Sequence, residues 1–212
     1  MTQLESFSTV FAQALRGAPC HVVGLHATPA RLPVGDWVRG ADAADHALLA
    51  LCDGATIDIG CGPGRLAAAL ADLGHVVLGI DVVQEAVEQT LARGVSALQR
   101  DVYDAIPGEG RWRTALLADG NVGIGGDPLK LISRARQLLD PRGRIVVELA
   151  APGVPTTTSW ASLECGDARS RPFRWSVVGV DGIHALAAEA GMSVHALGSR
   201  ADRWFGVLQE AL

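Results

Sequence analysis

The 212-residue sequence predicts a doubly wound α/β fold built on a mostly parallel sheet. Three observations carry that prediction. Apolar, β-branched runs alternate with helical segments from Thr56 to Leu149. A glycine turn, Gly60-Cys61-Gly62-Pro63-Gly64, joins the first run to the first helix. Acids follow successive runs, as Asp81, Asp101 and Asp119, where ligands of open parallel sheets bind.

Residues 1–52 do not fit the sheet and are read as a helical cap, with helices over 6–15 and 41–52 and an extended or turning segment over 19–33. The core, 53–150, opens on Ile57 and Ile59, β-branched residues suited to a buried parallel strand. Leu66 to Leu73 has the composition of a good helix, and the apolar run from Val76 to Ile80 ends at Asp81. A helix over 83–92, a short strand over 95–98 and a strand over 115–118 follow. Asp127 is a good N-cap with Pro128 at the first helical position, so the next helix spans 127–139. Pro141 and Gly143 turn the chain into a strand over 144–149.

The rhythm breaks over 151–178, where Pro152, Gly153, Pro155, a run of threonines and an Arg- and Trp-rich patch predict a long substrate-side loop. Residues 179–212 then supply a helix over 180–190 and strands over 193–197 and 204–208. Only a short turn separates those strands, which predicts an antiparallel pair. The length suits one domain.

A net charge of −5 argues against a protein devoted to gripping nucleic-acid phosphates. Apolar runs fall short of the roughly 18 residues that a membrane span needs, and the N-terminus lacks a secretion signal. A soluble cytoplasmic protein, monomeric or homodimeric, is expected. Cys20, Cys52, Cys61 and Cys165 have neither metal-ligand spacing nor a disulfide framework and read as reduced thiols, so no metal is expected. Cys61 serves the turn as a small residue. Lys130, the only lysine, carries no mechanism.

Spacing separates two cofactor classes. A dinucleotide turn starting at Gly60 needs a third small residue at position 65, which is Arg65. The pattern is instead DxGxGxG from Asp58 to Gly64, with Asp81 after the next strand. It resembles motif I of the class I S-adenosylmethionine-dependent methyltransferases. The resemblance implies a Rossmann-like, seven-stranded, mostly parallel sheet with an antiparallel last strand, in three α/β/α layers with the N-terminal cap. It implies S-adenosylmethionine as cofactor and a small-molecule acceptor, with specialised-metabolite biosynthesis as the analogy. It also assigns roles. Asp58, Gly60, Cys61, Gly62 and Gly64 would contact the methionine portion, Asp81 the ribose and Val82 the adenine face. Asp101 and the Val102 amide would bind adenine, while Asp119, Gly120 and Asn121 would lie nearest the sulfonium.

Plainer readings stand beside these. Asp81 caps the following helix, Asp58 braces the turn, Asp101 merely starts a turn, and Arg65, which could reach a carboxylate, is read as a solvated arginine in the first helical turn. His26, Asp119 and Glu148 are the candidate general bases, against which His26 is a surface histidine and Glu148 pairs with an arginine. Trp37 and Trp160, in the two capping segments, are candidate substrate-lining residues, whereas scattered tryptophans are also core anchors. The stretch from Ala118 to Pro128 departs from the D/N-P-P-aromatic motif of several amino-group and nucleobase methyltransferases. Two rivals remain, a nicotinamide-dependent reductase and a catalytically silent cofactor-binding partner. The first lacks a Tyr-xxx-Lys pair, because the only tyrosine, Tyr103, is followed four positions later by Pro107.

Overall fold

The computed structural model describes residues 4–211. Its central sheet contains β4 (Thr56–Ile59), β5 (Val77–Asp81), β6 (Ser96–Gln99), β7 (Trp112–Leu117), β8 (Leu139–Leu149), β12 (Met192–Arg200) and β13 (Arg203–Glu210). The order is β12-β13-β8-β7-β4-β5-β6. The first five of these strands in sequence are parallel, and β13 inserts antiparallel between β8 and β12. This is the seven-stranded arrangement expected from the sequence.

Alternation along the strands makes three layers. Ile57, Ile59, Ala115, Leu117, Ile145 and Val147 pack on one face with α6 (Pro128–Leu138) and α7 (Ile183–Glu189). Leu116, Ala118, Val146 and Phe205 face the other way, against α3 (Ala43–Leu49) and α4 (Arg65–Asp72). Each fully buried leucine contributes about 1.5–3 kcal/mol through removal of its surface from water. The fifth helix of the chain, α5 (Gln84–Ala92), packs on β5, β6 and α4. As expected, α6 opens with Asp127 accepting from the Lys130 amide at 3.0 Å and with proline in its first turn.

The turn expected at Pro141 and Gly143 does not separate two elements. Asp140 to Gly143 bulge out of a continuous β8, so that Trp112 pairs with Leu139 and Thr114 with Arg144. A bulge keeps the flanking backbone in the ladder while absorbing residues that cannot pair.

The larger correction concerns the segment 151–178, which is not a loop. It forms β9 (Thr157–Cys165), β10 (Ala168–Ser170) and β11 (Phe173–Val177). These join β1 (Leu4–Glu5), β2 (Cys20–Val23) and β3 (Ala30–Arg31) in a second, six-stranded sheet. Threonines and aromatics, read as loop material, are strand formers when they meet partners. The cap is therefore mixed rather than helical. Its α1 (Phe7–Leu15) is capped by Ser6, whose hydroxyl accepts from the Thr9 amide, and covers the Ala161, Leu163 and Cys165 face of β9. The short α2 (Val34–Val38) follows β3, and the helix expected over 41–52 is confined to α3.

Nor are all four cysteines reduced. Cys20 on β2 lies opposite Cys165 on β9, with Cα atoms 4.3 Å apart, and the two form a disulfide, while Cys52 and Cys61 remain free. The sequence concealed this because 145 positions separate the partners.

Candidate active site

Strand order sets the site. From β4 the chain moves outward through β5 and β6, then returns to lay β7 against the other edge of β4. Ligands of open parallel sheets bind at such a switch, beyond the C-terminal strand ends. The glycine turn leaves β4 at this point. The Gly60 and Cys61 amides donate to the Ile80 carbonyl of β5, at 2.8 and 3.0 Å. At Gly62 the backbone is left-handed, with φ +52°, and a side chain there would project into open space. That combination leaves a cradle of main chain on which a ligand can lie.

Carboxylates surround the cradle. Asp81 accepts from the Gly62 amide at 3.0 Å and from the Val83 amide at 2.9 Å. It therefore braces the glycine turn and the entry to α5, through the amide of the N-cap residue Val83, without capping the helical amides themselves. Asp58 is 2% exposed, and its carboxyl makes no hydrogen bond among the described residues. Burial pushes it up to about 7, the Asp119 and Asp81 charges add to this, and Arg65 opposes it. A carboxyl facing a cationic ligand would exchange that penalty for an ion pair.

The rim beyond β7 is held by two devices. The Asn121 amide donates to the Ile59 and Gly60 carbonyls, at 3.0 and 2.8 Å, binding the rim to the glycine turn. Asp119 has φ +51°, an uncommon conformation for a residue with a Cβ. Both of its oxygens accept from one Arg65 nitrogen, at 2.9 and 2.6 Å. Arg65 is not solvated. It is 4% exposed and also pairs with the fully buried Asp45 of α3.

Arg203 of β13 completes the network. Its guanidinium meets Glu148 through two bonds of 2.7 and 2.8 Å, pairs with Asp45, and lies 3.5 Å from Asp119. Glu148 in turn accepts from the Asp119 amide at 2.8 Å, so it pairs with an arginine as the plainer reading had it. Burial raises Asp45, but hydrogen bonds from Arg65 and Arg203 outweigh it and hold the carboxyl far below the ordinary range. For Asp119 burial wins over the pull of Arg65, with Glu148 adding, and the carboxyl stays above its ordinary value.

Other candidates fall outside this cluster. The Asp101 carboxyl accepts from the Tyr103 amide at 3.0 Å, a local turn bond. Val102 is buried, whereas Val82 is 41% exposed beside Asp81. The Cys61 thiol points into the core, 3.6 Å from the Thr90 hydroxyl, and burial pushes it well up, so it is no nucleophile. Gly120 is left-handed with open space beside it. His26 is exposed between β2 and β3 and makes no hydrogen bond among the described residues.

The cap brings an aromatic file to the rim. Trp37 meets Phe11 at 5.8 Å between ring centroids, Phe11 meets Phe7, Phe7 meets Phe173, and Phe173 meets Trp175 at 6.4 Å. Trp175 bridges to Ile124, and a Cβ added to Gly123 would strike the Ser176 carbonyl, so β11 lies directly on the segment after Asp119. Trp37 belongs to this file, but Trp160 does not. It is 65% exposed and lies opposite Arg174 in the ladder, on the sheet face away from α1.

The sequence reading missed Asp45, Arg203 and Phe173. One signal was available for the network: Arg65 sits in the first turn of α4, where the helix dipole disfavours a cation, and a buried acid resolves that conflict.

Comparison with known proteins agrees with the fold. Residues 57–143 match a family model described as a methyltransferase domain. No curated protein sequence matches the chain. Among solved structures, an S-adenosylmethionine-dependent methyltransferase from Bacteroides fragilis, in complex with S-adenosyl-L-homocysteine, is similar at a TM-score of 0.82 and 21% identity. That match covers 100% of this chain and 97% of the other. The CcbJ methyltransferase from Streptomyces caelestis matches at 0.63 and 17%, over 83% of this chain and 92% of its own. The 1,6-didemethyltoxoflavin-N1-methyltransferase of Burkholderia thailandensis, bound to 1,6-didemethyltoxoflavin and S-adenosylhomocysteine, matches at 0.61 and 18%. It covers 80% of this chain and 79% of its own.

Proposed function

We propose that this chain is a class I S-adenosylmethionine-dependent methyltransferase that methylates a small-molecule acceptor held between the glycine turn and the aromatic face of the cap. The observation that carries the acceptor class is the file from Trp37 to Trp175, which ends on the segment after Asp119. It offers an apolar wall with a few polar groups, the usual make-up of a small-molecule site. The Burkholderia protein, a 1,6-didemethyltoxoflavin-N1-methyltransferase by its name, supports the same class by analogy.

S-adenosylmethionine, when bound, supplies a methyl group on a positively charged sulfur, and the acceptor displaces that sulfur in line. The chain's own work is binding and orientation. The turn from Gly60 to Gly64 would receive the methionine portion, with bare main chain open at Gly62 while Gly60 and Gly64 pack against Asn121 and Thr90, and with Asp58 facing its cationic group. Asp81 would bond the ribose through lone pairs left free by Gly62 and Val83, and Val82 would flank the adenine. The Asp101 carboxyl and the Val102 amide would complete the adenine site, while Asp119, Gly120 and Asn121 form the wall beside the sulfur. Because Asp119 and Glu148 are engaged by arginines, neither is a ready base, and positioning with exclusion of water supplies the acceleration.

A cytoplasmic setting belongs to this proposal, as does a monomer or homodimer without nucleic acid. No described helix is long and apolar enough to cross a membrane. The test is turnover with a panel of small amines, phenols and heterocycles, followed by mass identification of the methylated product. A product heavier than the acceptor by one methylene, formed together with S-adenosylhomocysteine, supports the reading. Tight cofactor binding without turnover on any acceptor class would make the chain a silent partner protein.

A further inference from the structure

We propose that Arg65 is a positioning residue that screens the sulfonium end of the site. By clamping Asp119 it holds the rim in place and cancels a negative charge that would otherwise favour bound S-adenosylmethionine over the transition state. This rests on the cofactor placement given under Proposed function and goes beyond it.

The geometry supplies each step. Asp58, Asp81 and Asp119 are three carboxyls at adjacent strand ends, close enough for both of the others to act on Asp58. Left unpaired, they would form an anionic pocket beneath a cationic cofactor. Such a pocket binds the sulfonium well, but the sulfur loses its charge as the methyl group leaves, so the attraction fades on the way to the transition state. An interaction stronger in the ground state slows the chemical step. The same pocket would leave the neutral thioether product unable to compete.

Arg65 meets both oxygens of Asp119 and is itself buried, so its charge is little screened by water. Its second partner, Asp45, anchors it from α3, and Arg203 stands behind both acids. Among the described residues the buried Arg65 Nε has no hydrogen-bond partner, and the guanidinium is oriented by its two carboxylates. The left-handed Asp119 carries the rim toward Asn121, which holds the glycine turn. Charge and shape at the site therefore depend on one side chain, from the helix that the turn itself begins.

The test is calorimetric. Dissociation constants for S-adenosylmethionine and S-adenosylhomocysteine are measured at about pH 8.5, chosen well above ordinary carboxyl values so that Asp119 is ionised. Arg65→Gln should raise the preference for the sulfonium form on the order of tenfold, the effect of one unmasked charge several ångströms away in a partly buried site. Asp119→Asn should lower it, because Arg65 then lacks its counter-charge. The double variant should return near the wild-type ratio. A merely structural role weakens both ligands alike and moves no ratio. Equal ratios in wild type and both single variants would overturn the proposal. If Arg65→Gln does not fold, Asp119→Asn decides by its sign, and Arg65→Lys, which keeps the charge, should keep the ratio within about twofold. Failure of wild type to bind either sulfur nucleoside would instead overturn the cofactor placement.

Discussion

At Asp58 the site turns burial into a functional handle. Its folded value of about 7 lies above the ordinary 3.8, so its stability contribution is fully present below about pH 3.8 and is lost as the pH rises through 7. The free protein should thus lose up to about 4 kcal/mol from this group across that window. A cationic cofactor favours the ionised form, so binding near pH 6.5 should release a proton, read from calorimetry in buffers of different ionisation enthalpy. Identical apparent enthalpies in all buffers would sink this idea. Asp81 poses a different question, because its carboxyl already serves two amides. Asp81→Ala should weaken cofactor binding roughly ten- to a hundredfold and also lower stability, since two amide donors lose their acceptor. Unchanged affinity in a folded variant would leave Asp81 with its bracing role alone. These two acids were legible in the sequence because their spacing from the glycines is local. Arg65 was not, because its partners come from α3 and from beyond β7.

Among the elements, the central strands and helices were readable from periodicity, since each buries a face whose pattern lies within ten or so residues. The second sheet was not. β2 and β9 pair from opposite ends of the chain, and nothing near Thr157 reveals that a partner waits at Cys20. Their seam is closed by the Cys20–Cys165 disulfide, whose loop of 145 positions places it at the high end of the chain-entropy effect, about 4–5 kcal/mol as an upper bound. Cys20→Ser with Cys165→Ser should lower unfolding stability by about 2–4 kcal/mol, seen in denaturant curves run without reductant. Adding reductant to wild type should reproduce the shift. Coincident curves for wild type and variant would show that the bond does not hold the seam. β11 carries a separate expectation, because Trp175 joins the file to the rim. Trp175→Ala should raise KM for the acceptor about tenfold while leaving cofactor affinity within about twofold, and Trp160→Ala should change neither.

Across the whole molecule, one chain crosses three times between two sheets: it begins in the cap, enters the core at β4, returns to the cap for β9 to β11, and re-enters the core for β12 and β13. The cap meets the core mainly through α1 on α5 and β11 on the rim. Leu15 packs with Val83 and Ala86, and Gln89 donates to the Leu15 carbonyl, so the first contact sits just beyond Asp81. A ligand that touches Asp81, Val82 and the rim therefore touches both supports of the cap. Ligand binding should consequently tighten segments that carry no cofactor contact of their own. Hydrogen exchange with S-adenosylhomocysteine alone should slow mainly in the glycine turn and around Asp81. With an acceptor also bound, residues 19–39 and 151–175 should slow as well, since an acceptor beneath the aromatic file joins the cap to the core. Protection confined to the core in the ternary complex would place the acceptor elsewhere and leave the second sheet as scaffold.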